Sequence, residues 1–284
     1  MIGVFDSGFG GLTVLSALLE RLPGYDYLYL GDSARAPYGT RSFETIFEFT
    51  REAVEFLFAQ GCPMVVLACN TASARALRNL QQQLLPQKYP DRRVLGVVRP
   101  SAEALAGLPP GALPGITPPG LATGRVAVLG TPGTVASDSY RLELDKLAPG
   151  LDLVQVACPL WVPLVEAGEL SGPGVDHFLH RYLDPLFVDP ARAPARVLLG
   201  CTHYPLLLPG IRAVVPAPVE ILTQGPIVAD RLADWLVRHP ETERRLGRTG
   251  SRRFMTTDDP DWFAARGQRI LGPAPILTAE RVKL

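Results

Sequence analysis

MVVLACNTAS, residues 64–73, is an apolar run that ends on a cysteine and opens directly into a helical pattern. Far downstream, VLLGCTHYP (197–205) repeats the plan. Each stretch has a partner upstream of it. IGVFDSG (2–8) and VAVLGTPGT (126–134) both read as strands that end in a small, hydroxyl-rich turn and lead into a helix. The two pairs stand in the same order at similar spacing, which reads as a diverged duplication of one α/β unit.

Between these landmarks, short aliphatic runs alternate with helical patterns. Leu12, Leu15, Leu18, Leu19 and Leu22 recur at helical spacing, YLYL (27–30) follows, and a helix is predicted from Phe43 to Phe58. VLGVV (94–98), LVQVA (153–157) and VEIL (219–222) continue the alternation, and 223–284 reads as one helix followed by a mixed tail. This βαβα order predicts an α/β fold of mainly parallel sheets covered by helices. The duplication divides it into two pseudo-symmetric α/β lobes, 1–98 with 209–284 around Cys69 and 99–208 around Cys201. Strand carboxyl ends in open α/β sheets form ligand crevices, so the active site is expected in the cleft between the lobes. Residues 107–124, GLPPGALPGITPPGLATG, carry too much Pro and Gly for a regular helix or central strand and are expected to form a surface loop or excursion.

Bulk composition narrows the function classes. The 284 residues are 47% hydrophobic and 20% charged, as in a globular protein with a substantial core. Basic and acidic residues number 28 each, so the formal net charge is zero. That leaves no electrostatic footprint for nucleic acid or an anionic membrane. ETERRLGRTGSRR (241–253) is a local exception and reads as a solvated helix-and-turn surface. No apolar run approaches the roughly 20 residues of a membrane helix, and MIGVFDSG does not read as a signal peptide. Four cysteines do not form a disulfide framework, so a reducing cytoplasm is the expected location. No CxxC occurs and the histidines at 177, 180, 203 and 239 do not group with cysteines, so no metal site is expected.

A cysteine at a strand-to-helix junction sits near unpaired backbone N–H groups and the positive end of a helix, and both favour the reactive thiolate. One such cysteine is as readily a buried apolar residue. Two in matching positions point to chemistry. Cys62, before a proline, and Cys158, in ACPLW, head no polar turn into a helix and are expected to be structural. Beside the matched pair stand Asp6, Ser7, Asn70, Thr71, Thr131, Thr134, Thr202 and His203. Their hydroxyls, amides and backbone N–H groups suit a carboxylate and an amine. DSGFGG has neither GxGxxG spacing nor a P-loop lysine, which argues against a nucleotide site. Two thiols opposed across a cleft permit inversion of an amino acid: one thiolate removes the α-proton and the opposite thiol returns a proton to the other face. Pyridoxal phosphate, the usual electron sink for such a step, needs a Schiff-base lysine. Lys88, Lys146 and Lys283 are the only lysines, and none stands in an active-site setting. The sequence therefore permits a cofactor-free route.

FDSGFGGLTVL, YLGDSARAPYGTRS, ACNTASA, GTPGTVASDSY, ACPLWVPLVEAGEL and LGCTHYPLL together resemble, in order and approximate spacing, the motifs of the cofactor-independent aspartate/glutamate racemase superfamily. The combination of DSGxGG, PYGxR and CTHYP resembles its glutamate racemase branch. That resemblance implies interconversion of L- and D-glutamate without a cofactor, supplying D-glutamate for peptidoglycan in a bacterial cytoplasm. It implies Cys69 as the base toward D-glutamate and Cys201 as the base toward L-glutamate. Asp6 and His203 would assist proton movement beside them, with Glu166 helping on the His203 side. Ser7, Asn70, Thr71, Thr131, Thr134 and Thr202 would hold the α-carboxylate and amine, with Tyr38 and Gly39 near the side-chain end. Members are often homodimers, in more than one arrangement. The DSG motif begins at residue 6, so no N-terminal extension of the kind that carries precursor-dependent activation in some relatives is expected. Two features depart from the pattern: the long Pro/Gly segment, and Gln224 where a small hydroxyl residue is common. Two alternatives stay open, a racemase for aspartate or another amino acid and a non-catalytic binding protein that restrains DNA gyrase. Retention of both thiols, Asp6 and His203 argues against the second.

Overall fold

The structure is a computed structural model that describes residues 1–111, 124–273 and 277–284. The expectation for the Pro/Gly segment falls mostly on residues 112–123, which lie outside the described residues. In chain order the strands are β1 (Ile2–Asp6), β2 (Tyr27–Gly31), β3 (Met64–Leu67), β4 (Arg93–Gly96) and β5 (Arg125–Gly130). They continue with β6 (Asp152–Ala157), β7 (Arg196–Gly200), β8 (Glu220–Thr223), β9 (Arg252–Thr256) and β10 (Ala279–Arg281). The chain divides into two compact units, Met1–Val97 with Gly225–Leu284, and Val98–Gln224. Residues 209–224, expected with the first unit, belong instead to the second. The reason is β8, which pairs with β7 from Arg196↔Glu220 to Leu199↔Thr223.

The first unit is built on a parallel sheet of order β10-β9-β2-β1-β3-β4. β1, β2 and β3 are buried along their whole length, which is why they read as continuous apolar runs. Helix Leu12–Arg21 packs against Pro260–Leu271, and Phe43–Ala59 packs against Asn70–Asn79. Right-handed crossovers put these two helix pairs on opposite faces of the sheet. Ile46, Val54 and Leu57 of the second pair close over Phe5, Leu30 and Leu67 to form the core.

The second unit is a parallel sheet of order β6-β5-β7-β8. This is the order β2-β1-β3-β4 over again, with β5 in the place of β1 and β7 in the place of β3. One helix pairing repeats as well: Pro173–Leu183 packs against Leu208–Val214 as Phe43–Ala59 packs against Asn70–Asn79, while Ser139–Leu147 lies against Val98–Leu105. Strand order and this helix pair both support the duplication read from the sequence.

The tail beyond helix Gln224–Arg238 is more regular than its sequence suggests. RRFMT forms β9 and pairs with β2, from Tyr27↔Arg252 to Gly31↔Thr256. Two leading arginines hide the strand from a reading based on apolar runs. The basic stretch 241–253 is mostly exposed or half-buried, as expected of a surface, and its arginines make local contacts. Arg252 donates to the carbonyls of Tyr25 and Pro23, Arg245 pairs with Asp91, and Arg248 pairs with Glu243 and Tyr25. These contacts lie at the surface of the first unit. Among the described residues, no helix is long and apolar enough to cross a membrane.

Close packing concentrates where β1 ends. Asp6 is fully buried, and the Tyr29 hydroxyl donates to the Gly8 carbonyl at 2.8 Å. A Cβ on Gly11 would lie 2.4 Å from Asp6 Cβ and 2.8 Å from Tyr29 Oη. Gly11→Ala is therefore expected to destabilise the fold by about 1–3 kcal/mol, the usual cost of overpacking. Gly24→Ala, where nothing lies within 4 Å of the added carbon, serves as the control. Thermal unfolding of both variants checks this: Gly11→Ala should melt well below wild type and Gly24→Ala should not.

Candidate active site

β1 and β3 lie side by side, and both sequence-predicted clusters of the first unit leave their carboxyl ends. Asp6 ends β1, and its Oδ2 accepts the Gly8 N–H at 3.0 Å. It does not cap the next helix, whose N-cap is Gly11. The Ala68 N–H donates to the Phe5 carbonyl at 2.8 Å, carrying the pairing one residue beyond β3. Cys69 then caps helix Asn70–Asn79, and its Sγ accepts the Ala72 N–H at 3.5 Å. The start of this helix places the Ala72 N–H and the positive end of the helix dipole at the sulfur, which stabilises negative charge there. The Cys69 thiol also reaches Ser7 Oγ at 3.6 Å. Asn70 and Thr71 form the first turn, and both are buried.

Tyr38 and Gly39 sit in a 3-10 turn, Tyr38–Thr40, and both are buried. The Tyr38 hydroxyl donates to Asp32 Oδ2 at 2.5 Å. Burial, then the Asp32 carboxylate, pushes the Tyr38 phenol far above its ordinary range, so it stays a neutral donor. Asp32 was not singled out from the sequence although it lies in the quoted motif YLGDSARAPYGTRS. It is fully buried and also takes bonds from Arg35 Nε at 2.7 Å and Thr257 Oγ1 at 2.8 Å. Ser73 was missed too. It donates to the Leu67 carbonyl at 2.9 Å and accepts from the Val97 N–H at 3.3 Å, tying the end of β3 to the chain beyond β4.

In the second unit, Cys201 follows β7 as Cys69 follows β3, but its surroundings differ from the expectation. It does not cap a helix. Residues 201–203 form a turn, a 3-10 segment spans Tyr204–Leu207, and the α-helix begins only at Leu208. Pro205 lacks an N–H and delays helix formation. The helix-end argument therefore holds for Cys69 and not for Cys201.

Cys201 has a histidine instead. His203 Nδ1 faces Cys201 Sγ at 3.9 Å, while Nε2 donates to Glu166 Oε1 at 2.6 Å. Glu166 comes from helix Trp161–Ala167. Burial works against charge on His203, but the bonds to Cys201 and Glu166 prevail and push it up to about 10. The segment is fixed by Tyr204, whose hydroxyl donates to the Cys158 carbonyl at 3.1 Å and whose ring meets Trp161 edge-on at 4.8 Å.

Thr131 ends the turn after β5 and caps helix Pro132–Ala136, accepting the Thr134 N–H at 3.2 Å; the two threonine hydroxyls lie 3.1 Å apart. Thr202 is buried beside Cys201 in the chain. Gln224, the departure from the family pattern, is buried and donates to Ser101 Oγ at 2.8 Å and Tyr140 Oη at 3.0 Å.

All four cysteines are buried and unbridged. Burial pushes the Cys62 thiol up to about 11 and raises the Cys158 thiol further, so neither supplies a thiolate near neutral pH. Among the described residues, no group of three or more His, Cys, Asp or Glu could hold a metal ion.

The model of the Asp/Glu/Hydantoin racemase family matches residues 2–224, and the chain belongs to this family. Within it, the chain is similar to the glutamate racemase of Ruegeria pomeroyi, at 41% identity over 95% of this chain and 96% of that protein. Among solved structures it is similar to a glutamate racemase isoform from Bacillus anthracis, with a TM-score of 0.85 and 32% identity over 100% of this chain and 97% of that one. The glutamate racemase of Francisella tularensis in complex with D-glutamate gives a TM-score of 0.83 and 30% identity, over 99% of this chain and 97% of that one.

An unfolded histidine titrates near about 6.5, so folding takes up the His203 proton between that pH and about 10. The resulting stability is complete below the lower value and is lost as pH rises through the upper one. Glu166→Gln should bring the imidazole midpoint down and flatten the fall in Tm between these limits. Imidazole NMR titration and pH-dependent melting test it; an unchanged midpoint would show that Glu166 does not hold the proton.

Proposed function

We propose that this protein is a cofactor-independent glutamate racemase that interconverts L- and D-glutamate by two-base proton transfer. The observation that carries the reading is the pair of cysteines, each just past the equivalent strand of a duplicated sheet and each with its own polar support. Cys69 has a helix start and Ser7 beside it; Cys201 has His203 and Glu166. Identity of about 40% to glutamate racemases over nearly the whole chain supports glutamate as the substrate. So does the likeness to a structure holding D-glutamate.

In this mechanism Cys69 takes the α-proton of D-glutamate and Cys201 that of L-glutamate; the cysteine not acting as base donates a proton to the opposite face. Asp6 assists on the Cys69 side, and His203 on the Cys201 side with Glu166 behind it. Ser7, Asn70, Thr71, Thr131, Thr134 and Thr202 hold the α-carboxylate and amine, and Tyr38 and Gly39 receive the side-chain end. Several of these side chains are buried hydroxyls and amides. Hydroxyls and amides of this kind offer donors and acceptors to a carboxylate and an amine. We place the protein in the cytoplasm as a homodimer that supplies D-glutamate for peptidoglycan.

Incubation with L-glutamate in deuterated water, with no added cofactor, should yield D-glutamate carrying α-deuterium. Exchange and isomerisation with aspartate but not glutamate would overturn the substrate assignment. Cys69→Ala and Cys201→Ala should each lower turnover by at least about 100-fold, the low end for loss of a general acid or base. Cys62→Ala and Cys158→Ala should retain activity. Full activity in either Cys69→Ala or Cys201→Ala would end the two-base mechanism.

A further inference from the structure

We propose that Asp32 is a positioning residue that sets the side-chain length this site accepts, by fixing the Tyr38–Gly39 turn, and that β9 takes part through Thr257. The inference rests on the reading of Tyr38 and Gly39 as the side-chain end of a glutamate site.

Asp32 stands just past β2 and joins the ends of three adjacent strands. Its N–H donates to the Asp6 carbonyl at 3.0 Å, which links it to β1. Its carboxylate takes the Tyr38 hydroxyl and Arg35 Nε on Oδ2, and the Thr257 hydroxyl on Oδ1. Thr257 belongs to the end of β9: its N–H donates to the Gly31 carbonyl at 3.1 Å, and its Oγ1 accepts the Ala34 N–H at 3.1 Å. A fully buried carboxylate is tolerated only when its oxygens are paired in this way.

The network also decides what the turn can present. Arg35 is held by Asp32 and by Glu52 at 2.6 Å, with its guanidinium 4.1 Å from the centre of the Phe49 ring. The Tyr38 hydroxyl is engaged by Asp32, and its ring lies against Phe5 and Phe49. Arg35 Nε and Nη1 are taken, leaving only its buried Nη2 without a partner, and the engaged phenol is not the natural partner of a substrate carboxylate. The turn's backbone is, and backbone donors have a fixed reach. A site that measures chain length this way depends on placement to within about 0.5 Å, which a rigid anchor such as Asp32 provides.

The clamp exists on one side of the duplication only. Among the described residues, the second unit has the same four-strand order but nothing corresponding to β9 and β10. The Asp/Glu/Hydantoin racemase model ends at residue 224, before β9. The match to a glutamate racemase covers 95% of the chain, too large a share to omit β9. β9 thus lies beyond the family model and within the similarity to a glutamate racemase.

Steady-state kinetics on L-glutamate and L-aspartate test the proposal with Asp32→Asn and the near-isosteric Thr257→Val. Asp32→Asn should raise the KM for glutamate about tenfold and Thr257→Val about threefold, with kcat within about twofold of wild type. The preference for glutamate over aspartate should fall in parallel. Should Asp32→Asn lose its fold, Thr257→Val carries the same readout. Variants that melt like wild type but keep both the glutamate KM and the substrate preference would overturn the inference, as would a loss confined to kcat and equal for both substrates. A wild-type protein inert toward glutamate would overturn the functional reading and this inference together; an active one with unaffected variants would overturn this inference alone.

Discussion

Parallel hydrogen bonding between a central strand and the cysteine-bearing strand beside it is the interaction on which the rest of the structure depends. β1 pairs with β3 through Phe5↔Leu67, and β5 pairs with β7 through Gly130↔Gly200. Parallel neighbours lie about 4.8 Å apart and end on the same side of the sheet. Groups leaving adjacent strand ends are therefore within contact range, as Cys69 and Ser7 are. The strand order also reverses at this point in each sheet, with β2 beyond β1 and β4 beyond β3, and β6 and β8 likewise. Chain segments leaving the two central strands turn to opposite faces, which opens a crevice at their carboxyl ends.

The duplicated scaffold carries two thiols that are supported differently. Cys69 uses backbone: a helix start directs the Ala72 N–H to its sulfur, and Ser7 adds a hydroxyl. Cys201 uses side chains: Pro205 defers the helix, and an imidazole held by a carboxylate stands beside the sulfur. A helix end gives a fixed field that does not titrate. A histidine held by a carboxylate does titrate, so pH acts on the second unit's cluster through His203. The strand topology has been preserved while the local chemistry at its ends has diverged.

Rigidity around the first cluster comes from close approach of backbone. A Cβ on Gly31 would fall 2.6 Å from the Gly8 carbonyl oxygen, and one on Gly11 would collide with Asp6. Such contacts leave Asp6 and Ser7 little freedom. Asp32 extends the same order outward, coupling the end of β1 to the Tyr38–Gly39 turn and to β9. A core of apolar strands alone would not fix these polar groups; their mutual hydrogen bonds do.

The sequence by itself determined the α/β class, the duplication and both cysteine strands. Those features depend on local apolar periodicity and on motifs that return in order, such as VVLACNTAS and VLLGCTHYP. Resemblance put Glu166 on the His203 side, and His203 Nε2 lies 2.6 Å from Glu166 Oε1. Tertiary structure alone decided the rest. β8 joined the second unit because its partner β7 lies there, and strand pairing is a long-range choice that VEIL does not encode locally. β9 was hidden because RRFMT gains its strand character by pairing with β2, with Arg252 anchored on loop carbonyls. Asp32 and Thr257 stand 225 positions apart and became partners only when β9 was laid beside β2. Periodicity reports which face of an element is buried; which distant element it is buried against is settled by the packing of the whole unit.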